Sequence, residues 1–136
     1  MDRQYLTDKH LTMRELTRAE EQVMQVLWKI KKGFVKEILE HFDEPKPAYN
    51  TVATVIKVLE KKGYVSHKTF GKTHVYFAVV SKKDYAQHLL KDTFKGLFNG
   101  SLNLMVSSFV KNKDVSLREL EELKEMLEKE IENKKQ

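Results

Sequence analysis

The chain has 136 residues, of which 40% are hydrophobic and 33% are charged, and its formal net charge is +5. This length and composition support one ordinary domain, or a small domain with an appendage, and they exclude wholesale disorder. The absence of cysteine excludes disulfides, thiolate metal sites and cysteine nucleophiles. No apolar run approaches the roughly 18 residues of a membrane span, and the start lacks the apolar core of a signal peptide. We therefore expect a cytoplasmic protein with no membrane partner.

The first predicted helix begins after residues 1–15, which show no sustained hydrophobic period. We interpret these residues as a flexible arm with a short helical piece near 11–16. Thr17 and Glu20 then have the spacing of a capping box, which opens a helix that ends at Gly33. An edge strand is predicted at Phe34-Val35, followed by a second helix over about 35–42.

A third helix is predicted after Pro45 and Pro47, and its apolar residues recur at the three-and-four spacing of a buried stripe: Val52, Val55, Ile56 and Leu59. The polar residues Asn50, Thr54 and Lys57 fall on other faces of the same helix. Lysines in the last turn and Gly63 just beyond it predict the helix end. The stripe therefore predicts a helix that is held from behind and leaves small polar groups free for a partner.

An alternating segment follows, with a strand from 64, a turn at 70–73 and a return strand over 74–79. Between residues 45 and 80 there are six lysines and one glutamate, so this segment carries a charge equal to that of the whole chain. A helix with small polar groups, followed by a hairpin with cationic edges, is typical of a winged helix-turn-helix that contacts DNA. The alternative is an ordinary lysine-rich surface.

The remainder of the chain predicts three further helical segments, over about 82–98, 102–110 and 116–133. About fifty residues support only a thin core, so this apolar surface predicts a homodimer with an isologous interface. The alternative is that these helices fold back onto the first domain. The predicted dimerisation residues are Leu89, Leu90, Phe94, Leu97, Phe98, Leu102, Met105, Phe109, Leu120, Leu123 and Leu127.

The predicted fold class is therefore mainly α with a small β-hairpin wing. It comprises a winged helix-turn-helix DNA-binding domain over 1–80 and a helical dimerisation domain over 81–136. The five histidines lack the spacing of a metal-binding helix pair, although His67 and His74 lie on facing strands and could approach diagonally. We interpret them as surface histidines or phosphate contacts rather than metal ligands. The glycines form no phosphate-binding loop, and no nucleophile lies beside a base. We predict no enzyme, no metal and no cofactor.

Three stretches give the chain a resemblance to a known family: LTRAEEQVMQVLWK at 16–29, AYNTVATVIKVLEKKGYV at 48–65 and GSLNLMVSSFVKN at 100–112. In these stretches the chain resembles the penicillinase-repressor family of transcriptional regulators (BlaI/MecI/CopY type). The resemblance covers the chain from Leu16 to the C-terminal helix. It implies a homodimer that binds a pseudo-palindromic operator in double-stranded DNA through its winged domain.

The resemblance also bears on regulation. In the beta-lactam-responsive branch, a membrane sensor's proteolytic signal leads to cleavage before a Phe in the dimerisation domain. The aligned bond here is Ser108–Phe109, and the resemblance implies a sensor-linked protease as a partner. This chain departs from those relatives in having Ser108 where they have Asn before the Phe. The copper-responsive branch uses cysteines near the C-terminus, and because this chain has none, copper sensing is not implied.

For the base edges we predict contacts from Asn50, Thr54 and Lys57, with Ala53 as an apolar contact. The predicted phosphate contacts are Lys46, Tyr49, Thr51, Lys68, Lys72 and Thr73. Some relatives place Arg where Ala53 stands, so their operator sequence does not transfer to this chain. The leading hypothesis is a dimeric, sequence-specific repressor. The alternative is a protein-interaction module that uses the winged domain, with the helical region as an oligomerisation scaffold.

Overall fold

A computed structural model describes residues 15–112 and 114–136, so the predicted arm at 1–15 lies outside the described residues except for Glu15. In chain order the elements are α1 (Arg18–Ile30), β1 (Lys32–Gly33), α2 (Val35–Glu40), α3 (Tyr49–Lys61), β2 (Val65–Phe70), β3 (Thr73–Ala78), α4 (Lys82–Leu97), α5 (Leu102–Val110) and α6 (Leu117–Lys135). The fold is mainly helical with one small antiparallel sheet, as predicted.

The chain divides into two compact units between Leu90 and Lys91. This division lies further along the chain than the predicted boundary at 80, because Tyr85 of α4 is buried in the core of the first unit. The backbone N–H of Leu16 donates to the Tyr85 hydroxyl at 2.7 Å, and the Tyr85 ring lies 6.0 Å from that of Trp28. The start of α4 therefore belongs to the first unit.

The predicted capping box opens α1. Thr17 Oγ1 accepts from the Glu20 N–H at 3.2 Å, and Glu20 Oε1 accepts from the Thr17 N–H at 2.9 Å. The same buried carboxylate also accepts from Lys62 Nζ at 2.9 and 2.8 Å. Burial alone would raise the pKa of Glu20, but the hydrogen bonds and positive charge of Lys62, with the bonds from Thr17, lower it. This ion pair ties the start of α1 to the end of α3.

The predicted stripe of α3 faces the core of the first unit. Val52, Ile56 and Leu59 are buried, and Val55 is half-buried against the same core. Tyr64, directly beyond the helix, is also buried. Because burial of each large aliphatic side chain contributes about 1.5–3 kcal/mol, this stripe fixes α3 against the rest of the unit.

The sheet has the strand order β1-β3-β2, and every neighbouring pair is antiparallel. The hairpin pairs from Val65↔Ala78 to Phe70↔Thr73, and the two residues between the strands form its turn. Gly71 has a φ of 63°, the positive value that the first central position of a type II′ turn requires. We call this hairpin, β2 with β3, the wing.

An edge strand does pair with the wing, but the prediction that it lies at Phe34-Val35 is wrong. It consists of Lys32 and Gly33, opposite Phe77 and Tyr76 of β3. Phe34 is instead the N-cap of α2, and its N–H donates to Glu37 Oε1 at 2.9 Å. The first helix also ends earlier than predicted, at Ile30 rather than Gly33. A Cβ at Gly33 would lie 3.0 Å from Ile30 Cδ1, so a larger residue there would require the end of that side chain to shift.

The second unit contains the end of α4, α5 and α6. Ser101 caps α5 by accepting from the Leu104 N–H at 3.1 Å, and a capping box of Ser116 and Glu119 opens α6. None of the described residues of this unit is buried. Across the described ranges, no helix is both long enough and apolar enough to cross a bilayer.

Candidate nucleic-acid interface

The face of α3 opposite its buried stripe carries the side chains predicted to contact bases. Asn50, Thr54 and Lys57 are exposed, and Ala53 is half-buried beside them. Thr54 Oγ1 donates to the Asn50 carbonyl at 2.8 Å, one turn earlier. The hydroxyl proton is thus used within the helix, so Thr54 presents a methyl group and oxygen lone pairs to a partner.

A groove lies between α2, α3 and the wing. It brings together six of the predicted contact residues, Tyr49, Asn50, Ala53, Lys57, Lys72 and Thr73. The other four predicted residues lie outside the groove lining but are exposed: Lys46, Thr51, Thr54 and Lys68. The polar face of α3 and the wing therefore border one concave surface within the first unit.

Two of the predicted phosphate contacts also have structural partners. Lys46 Nζ donates to the Glu40 carbonyl at 3.0 Å, which gives the carbonyl group of the last residue of α2 a hydrogen-bond partner. Thr73 Oγ1 donates to the Phe70 carbonyl at 2.8 Å and closes the end of the wing. An ammonium has three donors, so Lys46 keeps further protons for an anion while it holds α2.

Sequence reasoning missed several residues that line the groove. Lys36 of α2 faces the same groove as Lys57, and Glu37 and Glu40 lie beside it. His74 of β3, which the sequence left open between a surface position and a phosphate contact, also lines it. The count of lysines between 45 and 80 left out Lys36, because nothing in the sequence shows that α2 and the wing border the same surface.

The wing is joined to the end of α3 by polar contacts. His67 Nδ1 lies 2.5 Å from Glu60 Oε2, and the rings of His67 and His74 are 4.2 Å apart, as their predicted diagonal approach requires. Burial raises the pKa of the neighbouring Tyr76, and the negative charge of Glu60 raises it further, so this phenol stays neutral. In the part of the chain that the structure describes, no three His, Asp or Glu side chains are grouped as a metal site.

The predicted dimerisation residues differ in exposure. Leu97 is 76% exposed, Phe109 64% and Leu102 61%, whereas Leu89 is half-buried against the core of the first unit. Leu90 and Leu127 are also exposed, and the remaining five are half-buried: Phe94, Phe98, Met105, Leu120 and Leu123. Ser108, at the aligned cleavage bond, is exposed in α5, and its Oγ donates to the Leu104 carbonyl at 3.0 Å.

Comparisons with known proteins identify the family. A family model described as the penicillinase repressor matches residues 16–129. The methicillin resistance regulatory protein MecI of Staphylococcus aureus (strain N315) is 31% identical over 116 residues, which cover 85% of this chain and 94% of the relative. The penicillinase repressor of Bacillus licheniformis is 29% identical over 123 residues, covering 90% and 96%. The solution structure of the DNA-binding domain of the repressor BlaI is 27% identical, covers 54% of this chain and 94% of its own, and has a TM-score of 0.46. The chain belongs to the penicillinase repressor family.

Proposed function

We propose that the chain is a dimeric, sequence-specific DNA-binding transcriptional repressor of a pseudo-palindromic operator. The observation that carries the proposal is the geometry of α3. Its buried stripe anchors the helix from behind, and Asn50, Thr54 and Lys57 remain exposed beside a wing that bears lysines. Membership of a repressor family supports the same conclusion and supports a non-enzymatic role.

The exposed groups of α3 match particular base edges in the major groove. The Asn50 amide can donate to N7 and accept from N6 of adenine, and the Lys57 ammonium can donate to O6 and N7 of guanine. Ala53 and the Thr54 methyl suit the methyl group of thymine. These contacts would determine which base sequence each half-site of the operator must have.

Phosphate contacts would fix the register of the helix without reading sequence. Lys68 and Lys72 on the wing are exposed and able to neutralise the backbone beside α3. Thr51 and Tyr49 at the start of α3, with Lys46 before it and Thr73 on the wing, complete the proposed set. Each neutralised phosphate releases counterions, so binding should weaken steeply with salt.

Pairing of two chains is the second part of the proposal. The second unit buries none of its described residues and exposes Leu97, Leu102 and Phe109, which supports its use as a dimer interface. A dimer joins two reading helices, so the second half-site binds at high effective concentration and any process that separates the chains lowers affinity.

Proteolytic relief forms the regulatory part of the proposal. A sensor-linked protease that cuts the Ser108–Phe109 bond would detach α6 and divide the proposed interface. Both residues are exposed, which supports access. The bond lies inside α5, so the helix must unwind locally before a protease can bind it in an extended form.

Two variants of this surface test DNA reading. Lys57→Ala should weaken binding to the operator by about 1–3 kcal/mol and change base preference, because it removes a base contact. Lys72→Ala should weaken binding to all duplexes alike and reduce the salt slope by about 1. Anisotropy titrations over a range of salt, on operator and random duplexes, measure both effects. Equal losses on the two duplexes for both variants would contradict base reading, and the absence of salt dependence would favour the protein-interaction alternative.

A further inference from the structure

Two histidines link the wing to α3 at the groove. The ring of His74, on β3, lies 4.2 Å from that of His67, on β2. The His67 ring is held by Glu60 at the end of α3, with Nδ1 2.5 Å from Oε2. His74 Nδ1 lies 3.1 Å from Thr69 Oγ1. One nitrogen of each ring is therefore engaged with the protein, and the ring orientations are set.

The second nitrogen of His74 is available to a partner. The side chain is exposed and lines the groove together with Lys57 and Lys72. Its Nε2 has no hydrogen-bond partner within the described ranges. The Thr69 hydroxyl can donate to Nδ1 of a neutral ring or accept from Nδ1 of a charged one, so Nε2 can carry a proton in both states. The geometry thus offers an N–H donor to an acceptor bound in the groove.

The charges around His74 are balanced. Six charged side chains line the groove or contact the histidine pair, and they comprise three lysines and three carboxylates: Lys36, Lys57, Lys72, Glu37, Glu40 and Glu60. Their formal charges cancel, and the buried phenol of Tyr76 is neutral. A proton gained by His74 therefore adds a positive charge to this surface.

We propose that His74 is a further phosphate-binding residue of the DNA interface and that it gains a proton when it contacts DNA. This inference rests on the proposed function. A hydrogen bond from a charged imidazolium to a phosphate oxygen is roughly twice as strong as one from a neutral ring. Histidine changes charge between about pH 5 and 8. By linkage, affinity for DNA rises as the pH falls through this interval.

The test uses a duplex recovered from random DNA by the full-length wild-type protein. Anisotropy titrations are made at about pH 5.5 and 8, on either side of the imidazole transition. The wild type should bind about fivefold more tightly at the lower pH, the difference between a charged and a neutral hydrogen bond. Its salt slope should steepen by about 0.9 for each such contact. His74→Gln keeps a donor but cannot gain charge, so both differences should vanish.

His41→Gln is the matched control, because His41 lies at the C-cap of α2 and lines a separate depression. It should keep the wild-type pH dependence. Thermal unfolding confirms that each variant is folded. An identical pH dependence in the wild type and His74→Gln would overturn this inference alone. A wild type that binds no duplex in a salt-dependent way would overturn the proposed function as well.

Discussion

The two units of this protein contain similar kinds of helices but satisfy their apolar side chains differently. Among its described residues, the first unit buries fourteen hydrophobic side chains in one core, including Met24, Leu27 and Ile56, which are 0% exposed. The second buries none of its described residues and leaves Leu97 and Phe109 among its most exposed side chains. Burial of apolar surface is the main favourable term in folding, so the first unit has the core of a stable domain, whereas the exposed apolar surface of the second unit supports the proposed pairing with another chain.

This difference separates two tasks. A reading surface needs side chains held at fixed positions, and the closed core behind α3 supplies that rigidity. A pairing surface needs apolar area that remains available, and the second unit retains it. Substitutions in the core of the first unit or on the exposed apolar surface of the second unit therefore have different expected effects.

The largest expected effect is the loss of the core anchor of α3. Ile56→Ala should lower the free energy of unfolding by about 2–5 kcal/mol, because it leaves a cavity beneath the helix. Val58→Ala, on the exposed side of the same helix, should change it by no more than about 0.5 kcal/mol. Urea denaturation followed by circular dichroism compares the two. Similar losses in both variants would mean that α3 is not anchored by its buried stripe.

The second prediction concerns the unit without a buried core. Phe109→Glu should weaken dimerisation by at least about 2 kcal/mol, as expected for an aromatic anchor replaced by a charge. Glu125→Ala, an exposed acid on α6, serves as the control and should have little effect. Sedimentation equilibrium over a range of concentrations measures the association. A wild type that is monomeric at every concentration would refute the paired state.

An element could be predicted from the sequence where its residue spacing and turn residues favour the same structure as its packing in the fold. The stripe of α3, its end at Gly63 and the turn of the wing all follow from spacing and turn chemistry. The edge strand was misplaced because Phe34 and Val35 have high strand propensity, whereas the actual pair, Lys32 and Gly33, has little. Its position is set by pairing with β3, which no local pattern contains.

In the candidate site, the residues of α3 were predicted from the spacing of its apolar residues. The exposed face of α3 followed from the buried one, because a helix fixes the two together. The contribution of Lys36 was not predicted, and His74 was left open between a surface position and a phosphate contact, since both contributions depend on how α2 and the wing meet α3. The hydrogen bond from Lys46 to the Glu40 carbonyl was not predicted either, because the sequence does not determine the path of the loop between these two residues.

The third prediction concerns the ion pair that ties α1 to α3. Because the pKa of Glu20 is lowered in the folded state, its carboxylate stabilises the protein above its unfolded value of about 4.3, and this contribution is lost as the pH falls through the folded pKa. Glu20→Gln should cost about 1–3 kcal/mol at neutral pH and flatten the acid limb of the stability curve. Denaturant unfolding at a series of pH values measures this. Parallel curves for the variant and the wild type would show that Glu20 does not carry the acid dependence.

The smallest effects come from two matching capping boxes, one in each unit. Thr17→Ala and Ser116→Ala should each cost about 1 kcal/mol. The loss at Thr17 should appear in the unfolding of the first unit, and the loss at Ser116 in the dimerisation constant. If both losses appear in one transition only, the two units are not energetically distinct.

The central claim is that a core-anchored α3 reads DNA and that the helical unit doubles the reading. Selection of bound sequences from random duplex DNA, with the mass of the complex measured in solution, tests it most directly. We predict an inverted repeat whose halves are separated by about 10 base pairs or a multiple of that spacing, bound by two chains. Enrichment of no sequence, or of an asymmetric site bound by a single chain, would contradict it.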